Sequence, residues 1–267
     1  PSALVHDIAV TERRLVVPVP PVQLDFGRPW GDGDRSEGPR PFPMVAGEPL
    51  RILVMDKDDP TRRRVFELPP QMVFHVGSAH DDGDTVVLSF VGSPDAGFLA
   101  QGAVAVMQGR PQDAAPSQLQ VARLDLRTGR VRLDRLDAQG VTSEFPCADP
   151  RRVGLPTRGL ASPAAWRPGA NPPGPFLHGL RWIDSATGRE QRFDFGDGVI
   201  VEEHVVVPKP GRSAEREAWL LGTAWDGRRD ATLLNLFDAA HVDDGPVAQA
   251  VLPYALPLGF HGHFKAA

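Results

Sequence analysis

Turn-forming residues interrupt this chain so often that few segments can sustain a long helix. Of 267 residues, 28 are proline and 27 glycine, and proline lacks the amide donor that a helix interior needs. Between the breaks lie short apolar or alternating runs, the pattern of strands joined by turns. Leu4–Val10 and Leu15–Phe26 read as strands around Thr11-Glu12-Arg13, and Leu50–Asp56 and Arg63–Leu68 as a hairpin around Lys57–Thr61. Gln71–Phe74 leads into a turn at Asp81–Asp84, and Thr85–Phe90 leaves it. Gln118–Leu126 and Arg130–Leu136 alternate on both sides of Arg127-Thr128-Gly129, the clearest hairpin of the chain. Gly140–Phe145 is strand-like, and Phe176–Ile183 with Glu190–Phe195 forms a further hairpin. Val199–Val207, Glu217–Trp225, Ala231–Phe237 and Pro246–Leu252 continue the series.

Asp95–Gln108 is the best helix candidate, weakened by Gly97 and Gly102. Pro29–Gly47 and Arg151–Pro175 read as loops; strand patterning resumes beyond each, so residues 1–267 are expected to form one domain. No repeat is legible. The expected class is all-β. Pattern alone leaves sandwich, barrel and propeller open, and paired strands in succession favour a propeller-like array.

Charge and cysteine content exclude several roles. The net charge of −5 is spread over interleaved acids and bases, so no basic face invites nucleic acid. No apolar run reaches the roughly 18–20 residues of a spanning helix. The single Cys147 rules out an intrachain disulfide and fits a reducing, cytoplasmic compartment. The chain opens Pro1-Ser2-Ala3 rather than with methionine, as a fragment or processed product would. Thirteen phenylalanines against one tyrosine, Tyr254, lean toward apolar pockets.

Eight histidines are present, and no pair has the i, i+4 spacing of a helical zinc motif. His6, His75 and His261 share another trait: each follows a short apolar run and precedes a turn or strand. One such residue alone is more often a core histidine than a ligand. His80, His178, His204, His241 and His263 read as surface or loop residues, with His263 the one competitor to His261, two residues away. Asp81-Asp82-Gly83-Asp84 lacks the spaced acids and closing Glu of a calcium loop and reads as a plain turn.

Five segments, in order, resemble the motifs of one family. Val5-His6-Asp7-Ile8-Ala9-Val10-Thr11 resembles its HDF-x-x-T, and Phe74-His75-Val76-Gly77-Ser78-Ala79-His80-Asp81-Asp82-Gly83-Asp84 its FH-x-x-NAYEDGD. Ser143-Glu144-Phe145-Pro146 with Asp149-Pro150-Arg151 resembles EFPRIDPR, and Glu203-His204-Val205-Val206-Val207-Pro208 the EPVFVP segment. Leu256-Pro257-Leu258-Gly259-Phe260-His261-Gly262-His263 resembles the closing VPxGFHGxW. The family is the carotenoid cleavage oxygenases, including the bacterial apocarotenoid and lignostilbene dioxygenases. The resemblance implies a seven-bladed β-propeller with a non-haem ferrous ion, Fe(2+), held by four histidines on its axis. It implies iron ligands at His6, His75 and His261, and carboxylates at Glu144 and Glu203 that accept from the far ring nitrogens.

The chain also departs from the family. Its motif for the first iron ligand lies upstream of the HDF segment, and Pro1–Val5 holds no histidine. Ser78 stands for Asn, His80 and Asp81 for an aromatic and Glu, and Cys147 and Ala148 for Arg and Ile. The chain is therefore expected to be the C-terminal portion of an incomplete propeller, with loop insertions and at most one or two short helices. An unclosed ring exposes sheet edges, so the portion alone is expected to bind iron poorly.

The function implied is O2-dependent cleavage of a C=C bond in a carotenoid, apocarotenoid or stilbene to two carbonyl products. Substrate uptake would involve at most a peripheral membrane contact, and no protein partner is indicated. Two alternatives stand beside it: an iron-free propeller module that binds protein or pigment, and a relative that isomerises rather than cleaves.

Overall fold

A computed structural model of the chain describes residues 4–23, 44–98, 102–110, 115–138, 140–167 and 176–265. It is all-β: sixteen strands form four antiparallel sheets of four, each built from strands consecutive in sequence. The first sheet holds β1 (Ala9–Val10), β2 (Arg14–Val19), β3 (Leu50–Asp56) and β4 (Arg63–Leu68). The second holds β5 (Met72–Asp82), β6 (Thr85–Ser93), β7 (Gln118–Asp125) and β8 (Val131–Arg135). The third holds β9 (Thr142–Ser143), β10 (Gly159–Ala165), β11 (Gly179–Asp184) and β12 (Glu190–Asp194). The fourth holds β13 (Val199–Pro208), β14 (Ala218–Asp226), β15 (Ala231–Asp238) and β16 (Pro246–Val251). These meandering four-stranded units are propeller blades.

Apolar side chains lock neighbouring blades face to face. One cluster joins Val16, Ile52 and Phe66 of the first blade to Val86, Leu88 and Phe90 of the second. Val91 and Leu119 then meet Leu160 and Ile183 of the third, and Leu180 and Trp182 meet Leu220 and Phe237 of the fourth. Polar contacts cross the blade boundaries too. The buried Arg181 guanidinium lies 2.5 Å from Asp137 and 3.0 Å from Glu190, and donates to Ser143 Oγ. Removing one member of so buried a set costs about 3–5 kcal/mol, because the other charges stay behind uncompensated.

The structure corrects some sequence-derived boundaries. The expected strand Leu4–Val10 shrinks to Ala9–Val10, because Asp7 bonds the amides of Ile8 and Val76 and turns the preceding residues aside. Arg151–Pro175 is not all loop, since β10 lies within it. Six of the seven residues of β10 are buried, so no polar alternation marks it, and Pro163 argues against a strand by rule. Of the expected helix Asp95–Gln108, the described residues are helical at Gly97–Phe98 and from Gly102 through α1 (Ala103–Met107); residues 99–101 lie outside the described set, as do 29–43 and 168–175 of the two expected loops.

Candidate metal centre

Four of the site's side chains come from equivalent places in four successive blades. His6 lies just before β1, His75 within β5, Glu144 directly after β9 and Glu203 within β13. First strands stand nearest a propeller's axis, so residues far apart in sequence meet there. His261 arrives differently, on a segment after β16 with no regular structure.

Each of the three rings turns Nδ1 toward an oxygen. His6 Nδ1 lies 2.9 Å from the Phe74 carbonyl, His75 Nδ1 2.7 Å from Glu144 Oε2, and His261 Nδ1 3.4 Å from Glu203 Oε1. Carbonyl and carboxylate oxygens accept and do not donate, so in each ring Nδ1 carries a proton. The Nε2 atoms of His75 and His261 then face one another at 3.3 Å. Were both rings neutral with the proton on Nδ1, two lone pairs would meet there and repel unless a cation or proton stood between them. The His6 ring is 5.2 Å from that of His75, nearly perpendicular, and the His75 and His261 rings are 4.9 Å apart.

The site thus gathers all three rings, while only the His75–His261 pair converges at nitrogen. Among the described residues no group of three or more His, Cys, Asp or Glu side chains is arranged closely enough to enclose a metal ion. In kind, the donors suit ferrous iron: neutral imidazoles whose far nitrogens are oriented by carboxylates or a carbonyl.

Two aromatic residues that stand inside the motifs, and to which the resemblance gave no role, complete the surroundings. Phe145 has φ 51°, a left-handed backbone rare for a non-glycine residue and more so before proline. Such strain, of order 1–3 kcal/mol, persists where neighbours over-determine the conformation. Here it sets the ring 4.8 Å from His75 and 5.6 Å from His261. Phe74 packs edge-on against His6 and against Phe98, continuing the apolar wall.

Three other histidines are not surface or loop residues; His80 is half-buried within β5. His204 is fully buried against Phe195 and Phe237, and burial pushes its pKa down to about 4. His178 is buried too; its Nε2 accepts from the amides of Trp166 and Arg167, and burial lowers its pKa. His204 bonds the Glu202 carbonyl within β13 and His178 holds the backbone just past β10, roles the sequence does not announce. His263 lines the cavity of about 190 Å³ beside His261, together with Glu202, Thr223 and Leu221, but shares no ring contact with His6 or His75 among the described residues. Cys147 packs against core residues, and burial raises its thiol to about 11, which disfavours the thiolate. No helix among the described residues is long and apolar enough to cross a membrane.

The family profile described as RPE65, retinal pigment epithelial membrane protein, matches residues 1–266. The chain belongs to this family, the carotenoid cleavage oxygenases. It is 24% identical over 271 residues to the apocarotenoid-15,15'-oxygenase of Synechocystis, covering 97% of this chain and 51% of that one. It is 27% identical to the lignostilbene-alpha,beta-dioxygenase isozyme III of Sphingomonas paucimobilis (99% and 55% covered) and 28% to a carotenoid cleavage oxygenase of Mycobacterium tuberculosis (94% and 48%). The crystal structure of cobalt-substituted Synechocystis ACO superposes with a TM-score of 0.83 at 21% identity, over 99% of this chain and 53% of its own. The chain spans about half the length of these relatives.

Proposed function

We propose that the protein carrying this chain is a non-haem Fe(II)-dependent dioxygenase that cleaves a C=C bond of a carotenoid, apocarotenoid or stilbene, yielding two carbonyl products. His6, His75 and His261 would hold the metal, oriented by the Phe74 carbonyl, Glu144 and Glu203. The observation that carries this reading is the shared orientation of the three rings, each with Nδ1 on an oxygen, and the approach of the His75 and His261 Nε2 atoms to 3.3 Å. Ferrous iron, when bound, would supply the redox chemistry with O2 that no side chain here can provide.

The protein's own residues do the positioning. Glu144 and Glu203 fix the tautomer and aim of two ligands, and Phe74, Phe98 and Phe145 offer an apolar wall against which a conjugated hydrocarbon can lie. No acid, base or nucleophile is required of them. The names of relatives acting on apocarotenoids and lignostilbenes support both substrate classes without choosing between them.

The test is metal analysis of the full-length protein together with aldehyde detection after incubation with an apocarotenoid or a stilbene under O2. Near-stoichiometric iron and cleavage of one substrate class are expected, with both lost in His75→Ala and His261→Ala. The absence of a closed three-donor cage among the described residues favours the second reading, a non-catalytic propeller module. Iron-free, inactive full-length protein would favour that reading instead.

A further inference from the structure

The strand that carries Glu203 is irregular at that point. Along β13 and β14, Val201 pairs with Ala224 and His204 with Gly222, so Glu202 and Glu203 together stand opposite Thr223 alone. Two residues against one is a β-bulge. In a regular strand these adjacent side chains would point to opposite faces. With the bulge, both carboxylates reach the segment that carries His261. Glu202 Oε1 accepts from the Gly259 amide, and Glu203 Oε2 accepts from the Gly262 amide at 2.5 Å.

The surroundings hold the bulge in place. The His204 ring donates from Nδ1 to the Glu202 carbonyl at 2.9 Å. Gly222 leaves the room: a Cβ there would collide with the Glu203 carbonyl oxygen and the His204 ring. Thr223 Oγ1 donates to Glu202 Oε2 at 2.7 Å, and the Glu202 side chain is buried. A buried carboxylate with one oxygen on a hydroxyl and the other on a backbone amide has little freedom left.

We propose that Glu202 is a positioning residue for His261, clamping the backbone on the N-terminal side of that imidazole as Glu203 clamps the C-terminal side. The inference rests on His261 being a metal ligand. Glu203 alone would leave the segment pivoting about Gly262, since Gly259 and Gly262 flank the histidine and resist rotation poorly. Two grips on either side define both where the ring stands and where Nε2 points.

The experiment uses full-length apo protein and Co(2+) as the probe. Affinity is read by competition with a fluorescent chelator, and hydrogen exchange is followed in the 256–263 segment and in β14. Glu202→Leu is expected to weaken Co(2+) binding about tenfold, the lower end for loss of a ligand-orienting partner. Exchange in 256–263 should speed up while β14 stays protected. Glu202→Gln can accept from Gly259 and bond Thr223, and should restore most of the affinity; Thr223→Val should fall between. Wild-type affinity and exchange in Glu202→Leu, with His261→Ala losing cobalt, would overturn the proposal and leave the metal centre standing. Loss of protection throughout the sheet would also overturn it, as a merely structural role. If His261→Ala binds cobalt like wild type, the metal centre itself fails and the proposal falls with it.

Discussion

His75 and His261 meet nitrogen to nitrogen, yet they reach that point on unlike supports. His75 belongs to an eleven-residue strand that is laddered to β6 on either side of it, His75 itself standing in a bulge between Val73 and Val76, and its side chain is 13% exposed. His261 sits on an irregular arm and is 52% exposed. The arm is tied down by a few bonds: the Leu252 and Leu256 amides to Thr232, and the Gly259 and Gly262 amides to Glu202 and Glu203. A ladder spreads the work of orientation over many backbone pairs, so loss of one contact is tolerated. An arm concentrates it in individual side chains, and segments of this kind open locally at low cost.

That contrast sets unequal expectations for the two carboxylates. Glu203→Ala removes both the Gly262 anchor and the His261 partner, so Co(2+) or Fe(2+) affinity of the full-length protein should fall by about 100-fold, the upper end for such partners. Glu144→Ala removes the Nδ1 acceptor of His75 but leaves β5 in place, and about a tenfold loss is expected. Chelator competition on the two variants measures both. Equal losses, or the reverse order, would mean that ladder and arm hold their ligands alike, and the comparison would be wrong.

The two supports share one device that periodicity cannot reveal. β5 is out of register on both sides of Val76, as β13 is at Glu202–Glu203. Bulges re-aim side chains at sites, but a one-residue offset leaves no trace in an apolar pattern. Hence the strands were readable and the clamp was not. The hairpin Leu50–Asp56 with Arg63–Leu68 was legible residue for residue, because one face is buried and the other wet. β10 was not, because both its faces are buried.

A repeat also hides at the scale of a turn. Asp125-Leu126-Arg127-Thr128-Gly129-Arg130 and Asp184-Ser185-Ala186-Thr187-Gly188-Arg189 share D-x-x-T-G-R. In both, the Asp accepts from the amides two and three residues on, and the glycine takes positive φ. Of the site, the three histidines and two glutamates were legible only through the order of five motifs. Spacing alone could not single them out, because the residues meet across blades 69 and 186 positions apart.

The smallest expected effect near neutral pH separates blade stability from arm placement. His204 lies in β13 beneath the two clamping carboxylates, and it is buried while the arm is exposed. Its imidazole titrates near 6.5 in an unfolded chain and near 4 in the fold. Between those values the unfolded chain holds the extra proton, so stability falls as pH drops through that window and is unaffected by this group above it. From pH 7 to pH 6 the loss amounts to less than about 1 kcal/mol, steepening further down. His80 and His178, also lowered by burial, add to the slope in the same direction. Denaturant unfolding of the full-length protein at pH 7 and 6, with and without His204→Leu, reads this directly. The variant should show a shallower loss, and an unchanged slope would show that the acid sensitivity of the blade arises elsewhere.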